Sequence, residues 1–191
     1  PPRFDPAEGV TVREPLQPGR GWWAGAPTAY YDHATGAFYL YYRLRKPREL
    51  GRGVMCRVAA GSDGLHFEDV WQASKEELNS PSVEKSCIFR LPDDTWQLYI
   101  SYVDPASNMW RIDVMEAAAP DGFDPADARP VFVPEELGLA GIKDPNVYCV
   151  GGLYHMLVSY APNPPAVTDE LRRTMHGTAD VYNTGTVKSH S

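Results

Sequence analysis

Two acid–lysine pairs in the sequence stand directly before short apolar segments. Glu84-Lys85 comes just ahead of residues 87–91, and Lys143-Asp144 comes just ahead of residues 146–150. An acid at such a position has no packing role of its own. One protonated and one ionised carboxyl together can perform acid–base catalysis. The lysine beside each acid favours the ionised form of its neighbour.

The segments behind these pairs read as β-hairpins. Residues 146–150 and 153–160 are two strand-like runs, and Gly151-Gly152 between them is a turn that accepts positive φ. The same strand–turn–strand pattern occurs twice earlier, at residues 26–31 with 37–43 and at residues 87–91 with 96–102. In the two earlier copies a third and a fourth strand follow, at residues 53–60 with 67–72 and at 110–117 with 130–133.

The copies recur at a constant interval. Phe38, Trp96 and Tyr154 follow one another 58 residues apart, and Lys85 is 58 residues before Lys143. A four-stranded unit repeated at this length is typical of a β-propeller blade, whose first strand lines the central channel. The sequence therefore predicts an all-β protein, with short helices only near residues 75–78 and 169–173.

The chain contains about two and a half to three such blades. We assign residues 1–191 to one incomplete propeller domain, with blade one at 22–72, blade two at 82–134 and a partial blade three at 141–191. Residues 186–191 resemble the start of a third strand. Terminal blades would expose sheet faces and edges. We therefore expect the remainder of the propeller to come from the same or another chain.

Composition restricts the function classes. The chain has 191 residues with 43% hydrophobic and 12% aromatic residues, and its net charge is −7. This charge disfavours nucleic acid as the main partner, and no apolar run is long enough to span a membrane. We expect a cytoplasmic protein, or a secreted one whose signal has been removed. Cys56, Cys87 and Cys149 are expected to be buried free thiols.

Three features carry a resemblance to a known superfamily. They are Lys143-Asp144-Pro145 opening an inner strand, the hairpin from Gly151 to Tyr160, and the outer turn from Ser62 to Phe67. With these features the chain resembles the five-bladed β-propeller glycosidases, which include glycoside hydrolase families 43 and 32 and the family 130 mannoside phosphorylases. The likeness covers roughly residues 21–160.

The resemblance implies carboxylates at the starts of the inner strands, around a funnel on the propeller axis. Blade two offers Glu84 and blade three offers Asp144, but blade one departs from the pattern. Families 43 and 32 would place an aspartate there, where this chain has Ala24-Gly25-Ala26-Pro27. A third acid would then come from a blade beyond Ser191, or the reaction differs. No cofactor is implied, although some relatives hold an axial calcium ion.

Strand direction predicts which other residues join the two carboxyls. Strands alternate direction in a blade, so strand-one starts, strand-two ends and strand-three starts share one end of the sheet. Aromatic rings there stack on pyranose faces, and charged groups bind hydroxyls. The candidate substrate-binding residues are Trp23, Arg45, Arg52, Lys85, Asp104, Trp110, Lys143 and His190.

We expect a glycoside hydrolase with Asp144 as the ionised base or transition-state stabiliser and Glu84 as the proton donor. Two alternatives stay open. A glycoside phosphorylase would use the basic segment between Arg45 and Arg52 as a phosphate clamp. A non-catalytic sugar-binding propeller would explain the missing acid of blade one. In every case the expected ligand is a small carbohydrate or an oligosaccharide.

Overall fold

The computed structural model describes residues 5–162, which form three antiparallel sheets. The first sheet has the order β1-β2-β3-β4, the second β5-β6-β7-β8, and the third pairs β9 with β10. The strands are β1 (Trp23–Asp32), β2 (Ala37–Arg45), β3 (Gly53–Gly61), β4 (Glu68–Ser74), β5 (Cys87–Arg90), β6 (Trp96–Val103), β7 (Trp110–Ala117), β8 (Arg129–Phe132), β9 (Leu139–Val150) and β10 (Leu153–Pro162). The all-β prediction is confirmed.

Helical structure within residues 5–162 is limited to short 3₁₀ turns at Pro6–Glu8, Arg48–Leu50 and Pro125–Asp127. The helix predicted near residues 75–78 is wrong. Those residues form a single turn that ends at Asn79, whose φ is 47°. The Ser80 N–H closes this turn by donating to the Lys75 carbonyl at 2.8 Å. The predictions at residues 169–173 and 186–191 lie outside the described residues. No helix in the described part of the chain is long and apolar enough to cross a membrane.

The inner strands of successive sheets lie side by side, with β1 against β5 and β5 against β9. Cys87, Ile88 and Phe89 of β5 are consequently all buried. An uninterrupted apolar run is what a strand covered on both faces requires. Aromatic contacts join the sheets, since Tyr39 lies 4.5 Å from the Trp96 ring and Phe89 lies 5.5 Å from the Tyr154 ring.

Hydrogen bonds from side chains to neighbouring backbone also cross the two inter-sheet boundaries. The Tyr41 hydroxyl donates to the Glu84 carbonyl at 2.6 Å, and the Thr28 hydroxyl donates to the Ser86 carbonyl at 2.6 Å. At the next boundary the Lys85 ammonium donates to the Pro145 carbonyl at 3.0 Å. These bonds fix the height of one inner strand relative to the next.

Two inner strands carry a β-bulge at the same height. The ladder register shifts between Gly25 and Thr28 in β1, and at the equivalent point of β9 it shifts between Lys143 and Asn146. The first bulge residue is Ala26 in β1 and Asp144 in β9, with φ of 52° and 59°, and proline follows each. The Ala-Pro of blade one is therefore the structural counterpart of the Asp-Pro of blade three.

The hairpin connections change the repeat interval on the inner strands, because the connection between equivalent ladder partners is one residue shorter in each successive hairpin. Second strands keep the predicted interval of 58, but the ladder partners of Phe38, Trp96 and Tyr154 are Tyr31, Arg90 and Cys149, which are 59 apart. The sequence-based match of Lys85 with Lys143 is therefore wrong by one residue. The ladder matches Glu84 with Lys143, because each faces the same position of its second strand, Ser101 and Ser159.

The segment before β1 wraps over the first sheet, where Val12 packs beside the core around Leu40 and Arg13 pairs with Asp69 at 3.4 Å. The prediction of buried thiols is confirmed for Cys56 and Cys87 and is wrong for Cys149. Cys149 is exposed because its sheet ends after two strands in the described part of the chain.

Ala26→Gly is expected to raise the free energy of unfolding by about 0.5–1 kcal/mol. A left-handed φ strains alanine by more than the added chain entropy of glycine costs. Ala29→Gly in the regular part of β1 is the matched control and should lower the same quantity by about 0.5–1 kcal/mol. Chemical denaturation of both variants measures the difference. Equal losses in both would contradict the strain at Ala26.

Candidate functional site

A pocket of about 650 Å³ opens where the bulged parts of the inner strands meet. Four predicted site residues line it, namely Glu84, Lys85, Lys143 and Asp144. The structure adds Ala26, Asn146, Leu157, Val158 and Ser159. The sequence-based prediction thus identified the charged residues of the lining and missed its small, amide-bearing and apolar residues.

The Lys143 ammonium links the two carboxyls. Its Nζ lies 3.4 Å from Glu84 Oε2 and 3.4 Å from Asp144 Oδ2. The Glu84 side chain is 14% exposed and that of Asp144 is 21% exposed, so both are mostly withdrawn from water. One cation therefore faces two carboxyl groups in a place of reduced dielectric.

Glu84 has a second cation. Arg43 NH1 forms an ion pair with Glu84 Oε1 and also donates to the Val83 carbonyl at 3.0 Å. Arg43 is buried, so this pair lies under the pocket rather than on its rim. Two cations on one carboxylate hold the Glu84 side chain in one orientation.

Asp144 is in the opposite electrostatic situation. Burial raises the pKa of its carboxyl above the ordinary value, and the negative charge of Glu84 adds to this, while Lys143 acts against it. The left-handed backbone at Asp144 turns the side chain out of the regular strand alternation. Aspartate tolerates this conformation better than most residues do.

Blade one replaces charge with an aromatic ring. A Cβ at Gly25 would lie 2.3 Å from Cζ3 of Trp23, so the indole occupies the space that a side chain at Gly25 would need. The same ring carries two guanidinium groups, with the Arg43 Cζ 4.8 Å and the Arg45 Cζ 5.7 Å from its centroid. Trp23 therefore positions two arginines beside the pocket.

Arg52 lies at the same end of the first sheet. Its carbonyl accepts a hydrogen bond from the Lys46 N–H at 2.8 Å, and its φ is 60°. Burial lowers the pKa of the Arg52 guanidinium, and the charges of Arg45 and Arg48 lower it further. Several cations thus crowd together at this edge.

The pocket lining does not include five further predicted residues, namely Trp23, Arg45, Arg52, Asp104 and Trp110. Asp104 caps the turn between β6 and β7, where its carboxylate accepts from the Ser107 N–H at 2.9 Å and the Ser107 hydroxyl at 2.8 Å. Trp110 is buried and lies beneath Lys143, whose Nζ is 5.5 Å from the ring centroid. His190 lies outside the described residues.

The residues that sequence reasoning missed carry weak signals. Asn146 lines the pocket because the bulge at Asp144 reverses the alternation of β9 after that point, and Ser159 lines it from β10 opposite Lys143. Asp-Pro at a strand start was the available hint of that bulge. Arg43 was expected at this end of the sheet, but its pairing with Glu84 has no local signal, since the two residues are 41 apart in sequence. Among residues 5–162, no group of three or more His, Cys, Asp or Glu side chains is arranged to hold a metal ion.

The sequence matches no protein-family model and no curated protein. Solved structures do match. A glycosyl hydrolase from Bacteroides ovatus has 17% identity and a TM-score of 0.53, over 78% of this chain and 52% of that one. The GH43_1 enzyme from Xanthomonas citri complexed with xylotriose has 16% identity and a TM-score of 0.51, over 87% of this chain and 46% of that one.

A third match is the structure described with the GH130 family of mannoside phosphorylases, which contains glycoside hydrolases that target β-1,2 mannosidic linkages in Candida mannan. It has 14% identity and a TM-score of 0.52, over 82% of this chain and 51% of that one. The chain has the fold of the β-propeller glycosidases. It spans about half the length of these structures, and at such identities the likeness shows the fold alone. The number of five blades stays a prediction.

Asp144→Asn is expected to become more stable relative to the native protein as the pH rises through the acidic range. The folded-state pKa of Asp144 is raised above its ordinary value of 3.8, so the native protein loses stability as the pH climbs from 3.8 through that higher value. The variant has no such loss. Urea denaturation of both proteins at a series of pH values measures the difference.

Asp63→Asn provides a control of opposite sign. Hydrogen bonds from His66 and Leu65 lower the pKa of the exposed Asp63 carboxyl, so the native protein loses this stabilisation as the pH falls. The stability of Asp63→Asn relative to native should therefore decrease as the pH rises. A pH-independent difference for Asp144→Asn would show that its carboxyl is not perturbed by folding.

Proposed function

We propose that the pocket binds a carbohydrate and that its two carboxyls hydrolyse a glycosidic bond. The observation that carries this proposal is the meeting of Glu84 and Asp144, from neighbouring inner strands, on the single ammonium of Lys143. Glycoside hydrolysis requires such a pair, one carboxyl protonated and one ionised. The fold shared with glycosidases supports the same reaction class.

The electrostatics favour roles opposite to those expected from the sequence. Glu84 is paired with Arg43 and Lys143, which suits an ionised base or nucleophile. Burial raises the pKa of Asp144, which is the direction that a proton donor requires. We therefore assign proton donation to Asp144 and the ionised role to Glu84.

The separation of the two carboxyls is bounded by their shared partner. Glu84 Oε2 and Asp144 Oδ2 can be no farther apart than twice the 3.4 Å contact to Lys143 Nζ. This bound admits the spacing of about 5–5.5 Å in retaining enzymes and only the lower end of the about 6.5–9.5 Å in inverting ones. The ammonium stands beside both carboxyls, so a bound sugar hydroxyl would draw it to one side.

A second candidate function is sugar binding without turnover. Ala26 is the observation that favours it, because this alanine stands at the bulge position that Asp144 fills in blade three. Blade one therefore contributes no carboxyl to the pocket at this height. A binding propeller would still use Asn146, Ser159 and the charged side chains to hold sugar hydroxyls.

The two carboxyls are expected to respond differently to the leaving group of an aryl glycoside. Asp144→Asn should lower kcat/KM by about 10²–10⁴-fold for poorly acidic phenols and far less for strongly acidic ones, which leave without protonation. Glu84→Gln should reduce hydrolysis of both kinds. Steady-state hydrolysis of a panel of aryl glycosides by the full-length protein measures both effects.

Asp104→Asn is the matched control, since Asp104 caps a turn away from the pocket and should leave the rates unchanged. Hydrolysis that survives in both pocket variants would exclude Glu84 and Asp144 as catalytic residues. A native protein that binds oligosaccharides calorimetrically without cleaving any of them would establish the binding function instead.

A further inference from the structure

The cation-rich edge, defined as Arg43, Arg45, Lys46, Arg48 and Arg52, is unusual for this chain. Residues 43–52 contain five basic residues and one acidic residue, Glu49, while the whole chain carries a net charge of −7. A solvated loop on an acidic protein does not require such a concentration of one sign. The local excess of positive charge attracts anions.

Backbone geometry brings these cations together. Arg45 closes β2 opposite Trp23 and Gly53, and the Lys46 N–H binds the Arg52 carbonyl across the loop. Arg43 and Arg45 both lie over the Trp23 ring. Burial lowers the pKa of Arg52, and the charges of Arg45, Arg48 and Arg43 lower it further, which is consistent with this crowding.

Arg45 is the best placed of these residues to meet a ligand. It forms no ion pair with any residue from 5 to 162, and its Nε is buried with no hydrogen-bond partner in that part of the chain. Arg43, by contrast, is committed to Glu84 and to the Val83 carbonyl. The Arg45 Cζ lies 5.7 Å from the Trp23 ring centroid, and the planar fork of N–H groups of an arginine suits a carboxylate or phosphate.

The cation-rich edge is continuous with the pocket. Arg43 joins Trp23 to Glu84, and Glu84 lines the pocket together with Ala26, which directly follows the glycine under the Trp23 ring. A sugar near Glu84 would therefore extend an anionic substituent towards Arg45 and Arg52. The two regions form one elongated binding surface. One end would bind the neutral hydroxyls of a sugar, and the other end would bind an anion.

We infer that the ligand of this pocket is an acidic glycan, whose sugar carboxylate is bound by Arg45 and Arg52. The inference rests on the sugar site proposed above. Inorganic phosphate offers the same cluster of anionic oxygens, and the experiment distinguishes these two sources. Cleavage of the glycosidic bond is not required for the inference.

The test compares two forms of one oligosaccharide by isothermal titration calorimetry on the full-length protein. The first carries one uronic acid, and in the second that carboxyl has been reduced to the alcohol. We expect the acidic form to bind at least about tenfold more tightly, which is the contribution of a charge-assisted hydrogen bond. The preference should shrink as sodium chloride is added.

Arg45→Gln and Arg52→Asn should each reduce the preference for the acidic form by about tenfold and leave affinity for the reduced form unchanged. Asparagine accepts the left-handed φ of Arg52, so this variant keeps the loop conformation. Arg129→Gln is the control, because Arg129 pairs with Glu116 on the outer strands of the second sheet and should alter neither affinity. Thermal unfolding checks that each variant is folded.

The outcomes separate the two proposals. Equal affinity of the native protein for the acidic and reduced forms overturns the inference and leaves the sugar site standing. Arginine-dependent binding of inorganic phosphate, without preference for the acidic sugar, overturns it in favour of phosphate. Failure of both oligosaccharides to bind counts against the sugar site itself. The comparison of the two ligands on native protein needs no variant.

Discussion

Burial of the inner strands between neighbouring blades is the constraint on which this structure depends. Strand β5 can bury Cys87, Ile88 and Phe89 only if β1 and β9 lie against it on either side. Once the three strands are held in parallel planes, their starts must meet at one edge. Every group of the pocket is placed by this packing, so the chemistry of the site is a consequence of core burial.

Much of the fold was predictable because its signals are local. Alternating apolar residues and turn residues such as Gly151-Gly152 predict each hairpin, and the interval between Phe38 and Trp96 predicts the repeated sheet. The strand bounds at Trp110–Ala117 agree with the prediction to the residue. Such features need no knowledge of which blade packs on which.

The site was less predictable because its decisive features are conformational. Between equivalent ladder partners, the hairpin connection of β9 is one residue shorter than that of β5, which matches Lys143 with Glu84 instead of Lys85. No residue type announces the bulge at Asp144 unambiguously. The pKa direction of Asp144 depends on its burial, which the adjacent lysine in the sequence obscured. The Arg43–Glu84 pair joins two blades and has no local signature.

The bonds across the blade boundaries have a consequence for how such a protein can change. Tyr41, Thr28 and Lys85 each reach over to a carbonyl of the next inner strand, so the receiving residue contributes only its peptide group. Its own side chain can be replaced without loss of the bond. Glycine and alanine can therefore stand in one blade where glutamate or aspartate stands in another, and each blade is free to acquire its own chemistry while the joint between blades stays the same.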